Sequence, residues 1–124
     1  MQGSAIHVIS HDPALRRAVV ARLERAAQLG EHPEGGVDFD GLGAGDIVIT
    51  TPGDCPPETA HLAARAGAAV IILAPIPRPE EADRYRRAGV AAYLPMLIDG
   101  TDLVEAVRSA LDRGLPSRNH CRAR

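Results

Sequence analysis

Ala69–Ala74 (AVIILA) is apolar at every position. A strand with one wet face alternates apolar and polar residues, so a continuous run of this length and β-branched content belongs to a sheet covered on both faces. That single segment restricts the chain to a layered α/β architecture, provided that helices are available to cover it. They are. Ala5–Ser10 (AIHVIS) and Asp46–Thr51 (DIVITT) read as further buried strands, Ala91–Leu94 (AAYL) as the last, and helical stretches separate them.

Each helical stretch has its own punctuation. Asp12 is placed to cap a helix whose first turn holds Pro13. Leu15, Val19, Leu23, Ala26 and Ala27 form one apolar stripe, and the helix ends near Leu29-Gly30. Glu58–Ala66 is a short Ala-rich helix stopped by Gly67, and Glu80–Ala88 is another, stopped by Gly89. Thr101 or Asp102 caps the final helix, in which Leu103, Val104, Val107, Ala110 and Leu111 share a face. Residues 31–45 are the thin part. Gly35–Phe39 has room for a short second strand, but Gly41, Gly43 and Gly45 leave no room for a full helix after it.

Strand–helix alternation requires right-handed crossovers and a parallel sheet between helical layers. Five strands with four or five helices match the flavodoxin-like, doubly wound topology, with helix two shortened or missing. The expected domain spans residues 1–114. Residues 115–124 (LPSRNHCRAR from Leu115) are expected to be a disordered basic tail or the start of a linker.

Composition excludes several classes of function. The net charge of −2 gives no general attraction to nucleic acid, and Phe39, Tyr85 and Tyr93 are too few for a base-stacking platform. No apolar run reaches the length of a membrane span, and no basic stretch leads into an apolar one near Met1, so the reading is a cytoplasmic domain. Cys55 and Cys121 form no CxxC pair. All 14 basic residues are arginine, so no chemistry that needs a lysine can occur.

Ligands of such folds bind at the carboxyl ends of the strands, here Ser10-His11-Asp12, Thr50-Thr51-Pro52, Ala74-Pro75 and Pro95-Met96. His11, Asp12 and Cys55 could converge there, with His61 as a fourth contributor, but their spacing matches no metal motif and no metal is expected. Cys55 has no base beside it in sequence, and Gly41–Gly45 precedes a strand where a phosphate-cradling loop would follow one. No catalytic residue and no cofactor is expected.

Arg87-Ala88-Gly89-Val90-Ala91-Ala92-Tyr93-Leu94-Pro95-Met96, followed by Leu103-Val104-Glu105-Ala106-Val107-Arg108, resembles the end of a NarL-type response-regulator receiver, which typically reads AGAxGYLxK before a helix of LxxAI-like pattern. Asp46–Thr51 is similar to the third strand of that family, Val70–Ala74 to its fourth, and His11-Asp12-Pro13 to its first loop. Receivers accept a phosphoryl group on an aspartate ending strand three. Acidic residues after strand one hold magnesium, and a Ser/Thr after strand four and a lysine after strand five hold the phosphoryl oxygens.

This sequence departs from that pattern at every chemical position. The acceptor position falls on Thr51, with Thr50 its neighbour. The acidic pair falls on Ser10 and His11, leaving Asp12 as a single carboxylate. The Ser/Thr position is Ala74 and the lysine position is Met96. Only the aromatic switch position, Tyr93, is retained. The resemblance implies an atypical receiver-like domain of bacterial signalling or transcriptional regulation that works without phosphorylation, through a homodimer or a partner regulatory protein. It places the partner surface on Tyr85, Tyr93, Val104 and Arg108. The alternative is a metabolite sensor that uses the pocket emptied at the strand ends.

Overall fold

A computed structural model of the chain describes residues 6–25, 34–36, 39, 41–97 and 101–113. The strands are β1 (Ile6–Ile9), β2 (Glu34–Gly36), β3 (Ile47–Thr50), β4 (Ala69–Ala74) and β5 (Ala92–Pro95). The helices are α1 (Pro13–Arg25), α2 (Pro57–Arg65), α3 (Pro79–Ala88) and α4 (Asp102–Arg113). All strand pairs are parallel, in the order β2-β1-β3-β4-β5. This is the flavodoxin-like order expected from the alternation. The expected end of the first helix at Leu29-Gly30, with Ala26 and Ala27 of its stripe, and the tail 115–124 lie outside the described residues.

Two apolar layers account for the unbroken strands. On one face Ile6, Val8, Ile47, Ile49, Ile71 and Leu73 pack under Val19 and Leu23 of α1 and under Leu103, Val104, Val107 and Ala110 of α4. On the other, Ile9, Val48, Val70 and Ile72 pack under Ala60 and Ala63 of α2 and Tyr85 and Ala88 of α3. Successive β4 residues serve opposite layers, so no position can be polar. The stripes read for the first and last helices are the buried ones; Leu15 and Leu111 sit at their edges, partly buried.

Each layer has two helices among the described residues. Among the described residues no helix stands between β2 and β3. The second strand is shorter than expected and shifted: it covers Glu34–Gly36, and Phe39 lies beyond it. Phe39 and Leu42 instead pack onto the α2–α3 layer from the loop.

Helix ends follow local chemistry. Asp12 accepts hydrogen bonds from the Ala14 and Leu15 amides at 3.0 and 3.4 Å, the expected cap of α1. Both α2 and α3 begin on a proline, one residue earlier than read, because proline's fixed φ suits the first helical position. Gly89 closes α3 in the left-handed conformation at φ 96°.

Candidate functional site

The carboxyl ends of β1 and β3 bring Ser10, His11, Asp12, Thr50 and Thr51 together, as expected. Hydrogen bonds tie them down. The Thr50 hydroxyl donates to the Ile9 carbonyl at 2.7 Å, inside the sheet. The Ser10 hydroxyl accepts from the Asp12 amide at 3.0 Å, and the Arg16 guanidinium donates to the Ser10 carbonyl. With its carboxylate on the first turn of α1, Asp12 is occupied by capping.

A residue that the sequence reading passed over sits at the centre. After β3 the chain turns on Thr51-Pro52-Gly53-Asp54, with the Asp54 and Cys55 amides both donating to the Thr51 carbonyl at 3.1 and 2.9 Å. The turn folds Asp54 back over the strand end. Its Oδ2 accepts from the Thr51 hydroxyl at 2.7 Å, and its Oδ1 accepts from the His11 amide at 3.0 Å. His11 Nδ1 also lies 3.0 Å from Oδ1. Proline then glycine in a turn ending on aspartate was a legible signal for the turn. Nothing local pointed to His11, which is 43 residues away.

Asp54 clamps together the loops that follow β1 and β3. Behind them the space between β1, β3 and α1, lined mainly by apolar residues such as Val8, Val19 and Leu73, admits no water molecule. The larger cavities lie elsewhere, one of 290 Å³ at the opposite strand ends near Asp46 and Gly67, another of 350 Å³ beside α2.

The clamp is ionic. Burial pushes the Asp54 carboxyl up, but hydrogen bonds from Thr51, from the His11 amide and ring, and from Ser10 outweigh it and hold the pKa at about 2. Since the folded value lies below the ordinary value of 3.8, the stabilisation is complete above that value and is lost as pH falls from about 4 to 2. The Asp54 side chain is only 12% exposed, so this linkage is worth about 2 kcal/mol. Urea unfolding should show the wild-type chain losing about that much more stability than Asp54→Asn between pH 4.5 and 2. Parallel pH profiles of the two proteins would remove the clamp.

The remaining expected positions are inert or structural. Ala74 is fully buried, and its carbonyl accepts from the Met96 amide at 2.9 Å. The Met96 side chain packs against the α1–α4 layer. The Tyr93 hydroxyl accepts from the Arg78 amide at 3.1 Å and donates to the Glu81 carboxylate; its ring stacks on Tyr85 at 5.8 Å. Burial foremost, with the Glu81 hydrogen bond, raises the Tyr93 pKa.

Two residues assigned to the partner surface do not reach it. Tyr85 is 1% exposed, with its hydroxyl donating to the Cys55 carbonyl at 2.7 Å. It lies on the sheet-facing side of α3 with Ala88, one turn on. Val104 is likewise in the core, on the stripe of Leu103 and Val107. Arg108 is exposed and Tyr93 half-buried, so the α3–β5–α4 face keeps those two.

The suggested metal ligands do not converge. Cys55 is fully buried, and burial and the neighbouring Asp54 charge push its thiol up to about 12. His61 Nδ1 is 3.3 Å from the Ala88 carbonyl, at the end of α3. No group of three metal-ligating side chains occurs among the described residues.

No protein-family model and no curated protein matches the sequence. Solved structures do match. The chain superposes on a BeF3-activated DrrB receiver domain with a TM-score of 0.70 at 18% identity, covering 91% of this chain and 100% of that one. The fold is the receiver fold. A CheY-like response-regulator receiver protein from Methanospirillum hungatei gives 0.70 at 17% identity, covering 94% and 99%. The receiver domain of the putative response regulator NarL from Mycobacterium tuberculosis gives 0.59 at 16%, covering 91% and 96%.

Proposed function

We propose that this chain is a receiver-like domain that works without aspartyl phosphorylation. It would act in bacterial signalling or transcriptional regulation, through protein contacts in the cytoplasm. One observation carries the reading. At the strand ends both carboxylate oxygens of Asp54 are bound by groups of the protein itself, Thr51 on one side and His11 on the other. A threonine at the acceptor position cannot form an acyl phosphate, and Ala74 and Met96 offer no hydroxyl and no ammonium to a transferring phosphoryl group. The Asp12 carboxylate caps the first turn of α1 through one of its oxygens.

The domain's output then rests on surfaces rather than on chemistry. Exposed Arg108 and half-buried Tyr93 lie on the α3–β5–α4 face, the surface on which this reading places a partner. No helix among the described residues is long and apolar enough to cross a membrane. Incubation with acetyl phosphate and magnesium should leave the intact mass unchanged. One phosphoryl group retained on any aspartate, Asp54 included, would falsify the reading.

A further inference from the structure

Among the described residues no helix stands between β2 and β3, and Phe39 and Leu42 pack onto the α2–α3 layer there. A 350 Å³ groove lies between their loop and α2, lined by Phe39, Leu42, Thr59, Leu62, Ala63 and Ala66 among others. Leu62, on its lip, is 68% exposed, so a large apolar side chain stands in solvent beside an apolar groove.

The charges around Leu62 indicate what covers it. Residues 58, 62 and 65 fall on one face of a helix, four and three residues apart. Glu58 therefore lies one turn before Leu62 and Arg65 one turn after it, all three exposed. Neither charge takes part in an ion pair among the described residues. A second α2, running antiparallel with the two Leu62 residues opposite, sets Arg65 against Glu58 at both ends. A parallel pairing would set like against like. This pattern is complementary to itself, as a two-fold contact requires.

We propose that this groove is the interface between two copies of the chain, each Leu62 seated in the groove of the other. The inference rests on the reading that the domain works through protein contacts, and it names the surface for one of them. α2 is nine residues long, about 14 Å, so the contact is smaller than a standard interface and the dimer is weak.

Sedimentation velocity on the full chain, over a concentration series up to its solubility limit, should show a reversible monomer–dimer equilibrium. Leu62→Glu should abolish it. Glu58→Arg alone and Arg65→Glu alone should each weaken it about tenfold, since every single reversal places like charges at both ends of the contact. The double reversal Glu58→Arg/Arg65→Glu should restore it. All these positions are exposed, and circular dichroism establishes that the variants fold. A chain monomeric at every concentration would overturn the inference, as would single and double reversals of equal affinity. A dimer that survives Leu62→Glu but is lost with Arg108→Glu would place self-association on the α3–β5–α4 face. That result removes this interface and leaves the proposed function standing, whereas a phosphoryl adduct removes the function without touching the dimer.

Discussion

Truncating Tyr85 to alanine should destabilise the domain by about 4 kcal/mol, a large part of what a domain of this size possesses. Tyr85 is the largest of the fully buried side chains. Its ring fills the space between α3, β5 and the loop after β3, stacked on Tyr93 at 28° between planes. Its removal leaves a cavity among short helices whose other buried contacts are alanines, Ala60, Ala63 and Ala88, which cannot collapse into it. Tyr85→Phe separates the ring from its hydroxyl. It should cost about 1–2 kcal/mol, because the Cys55 carbonyl loses the donor it holds at 2.7 Å. Urea unfolding of the two variants measures both. A phenylalanine variant as unstable as the alanine one would mean that the hydroxyl, not the packing, is what Tyr85 contributes. Burial foremost drives the Tyr85 pKa upward, so the hydroxyl stays a donor across the physiological range.

Gly67→Ala should cost about 2–4 kcal/mol, well above the roughly 1 kcal/mol expected for Gly89→Ala. Both glycines close helices with positive φ, 102° at Gly67 and 96° at Gly89. They differ in their surroundings. A Cβ on Gly67 would lie 2.8 Å from the Cα of Ala44, a backbone atom that moves only if the loop before β3 moves. That loop is held by the Gly43 amide on the Asp46 carboxylate at 2.9 Å and by the Ala69 amide on the Asp46 carbonyl, also at 2.9 Å. A Cβ on Gly89 meets the Ala64 Cβ at 3.4 Å, close but tolerable. Thermal or urea unfolding of the two single variants compares them directly. Equal losses would show that backbone strain alone is at work and that the Ala44 approach relaxes freely.

The two glycines also show how far the sequence is legible. Each was readable as a helix stop, because glycine alone adopts the left-handed conformation without cost. That Gly67 also admits another segment's backbone was not readable, because Ala44 is 23 residues away and only the β3–β4 pairing brings it near. α3 (PEEADRYRRA) is a parallel case. Its polar composition makes Tyr85 look like a surface residue. The sheet decides otherwise, because Tyr85 and Ala88 are the apolar pair on the side that faces β4 and β5.

What the sequence determined by itself is the frame. A strand with no polar position, bounded by capped or glycine-stopped helices, can be satisfied only by a parallel sheet covered on both sides, since an exposed face would leave either Val70 and Ile72 or Ile71 and Leu73 in water. That Thr51 carries no carboxylate and Met96 no ammonium was equally plain, because a residue's chemistry does not depend on its neighbours. What only the tertiary structure decided is the partner of Asp54. Asp54 is drawn to His11 across two loops that the sheet alone brings together, and a carboxylate's role follows from the donors around it. Loops 43 residues apart in the chain are joined by hydrogen bonds in the fold.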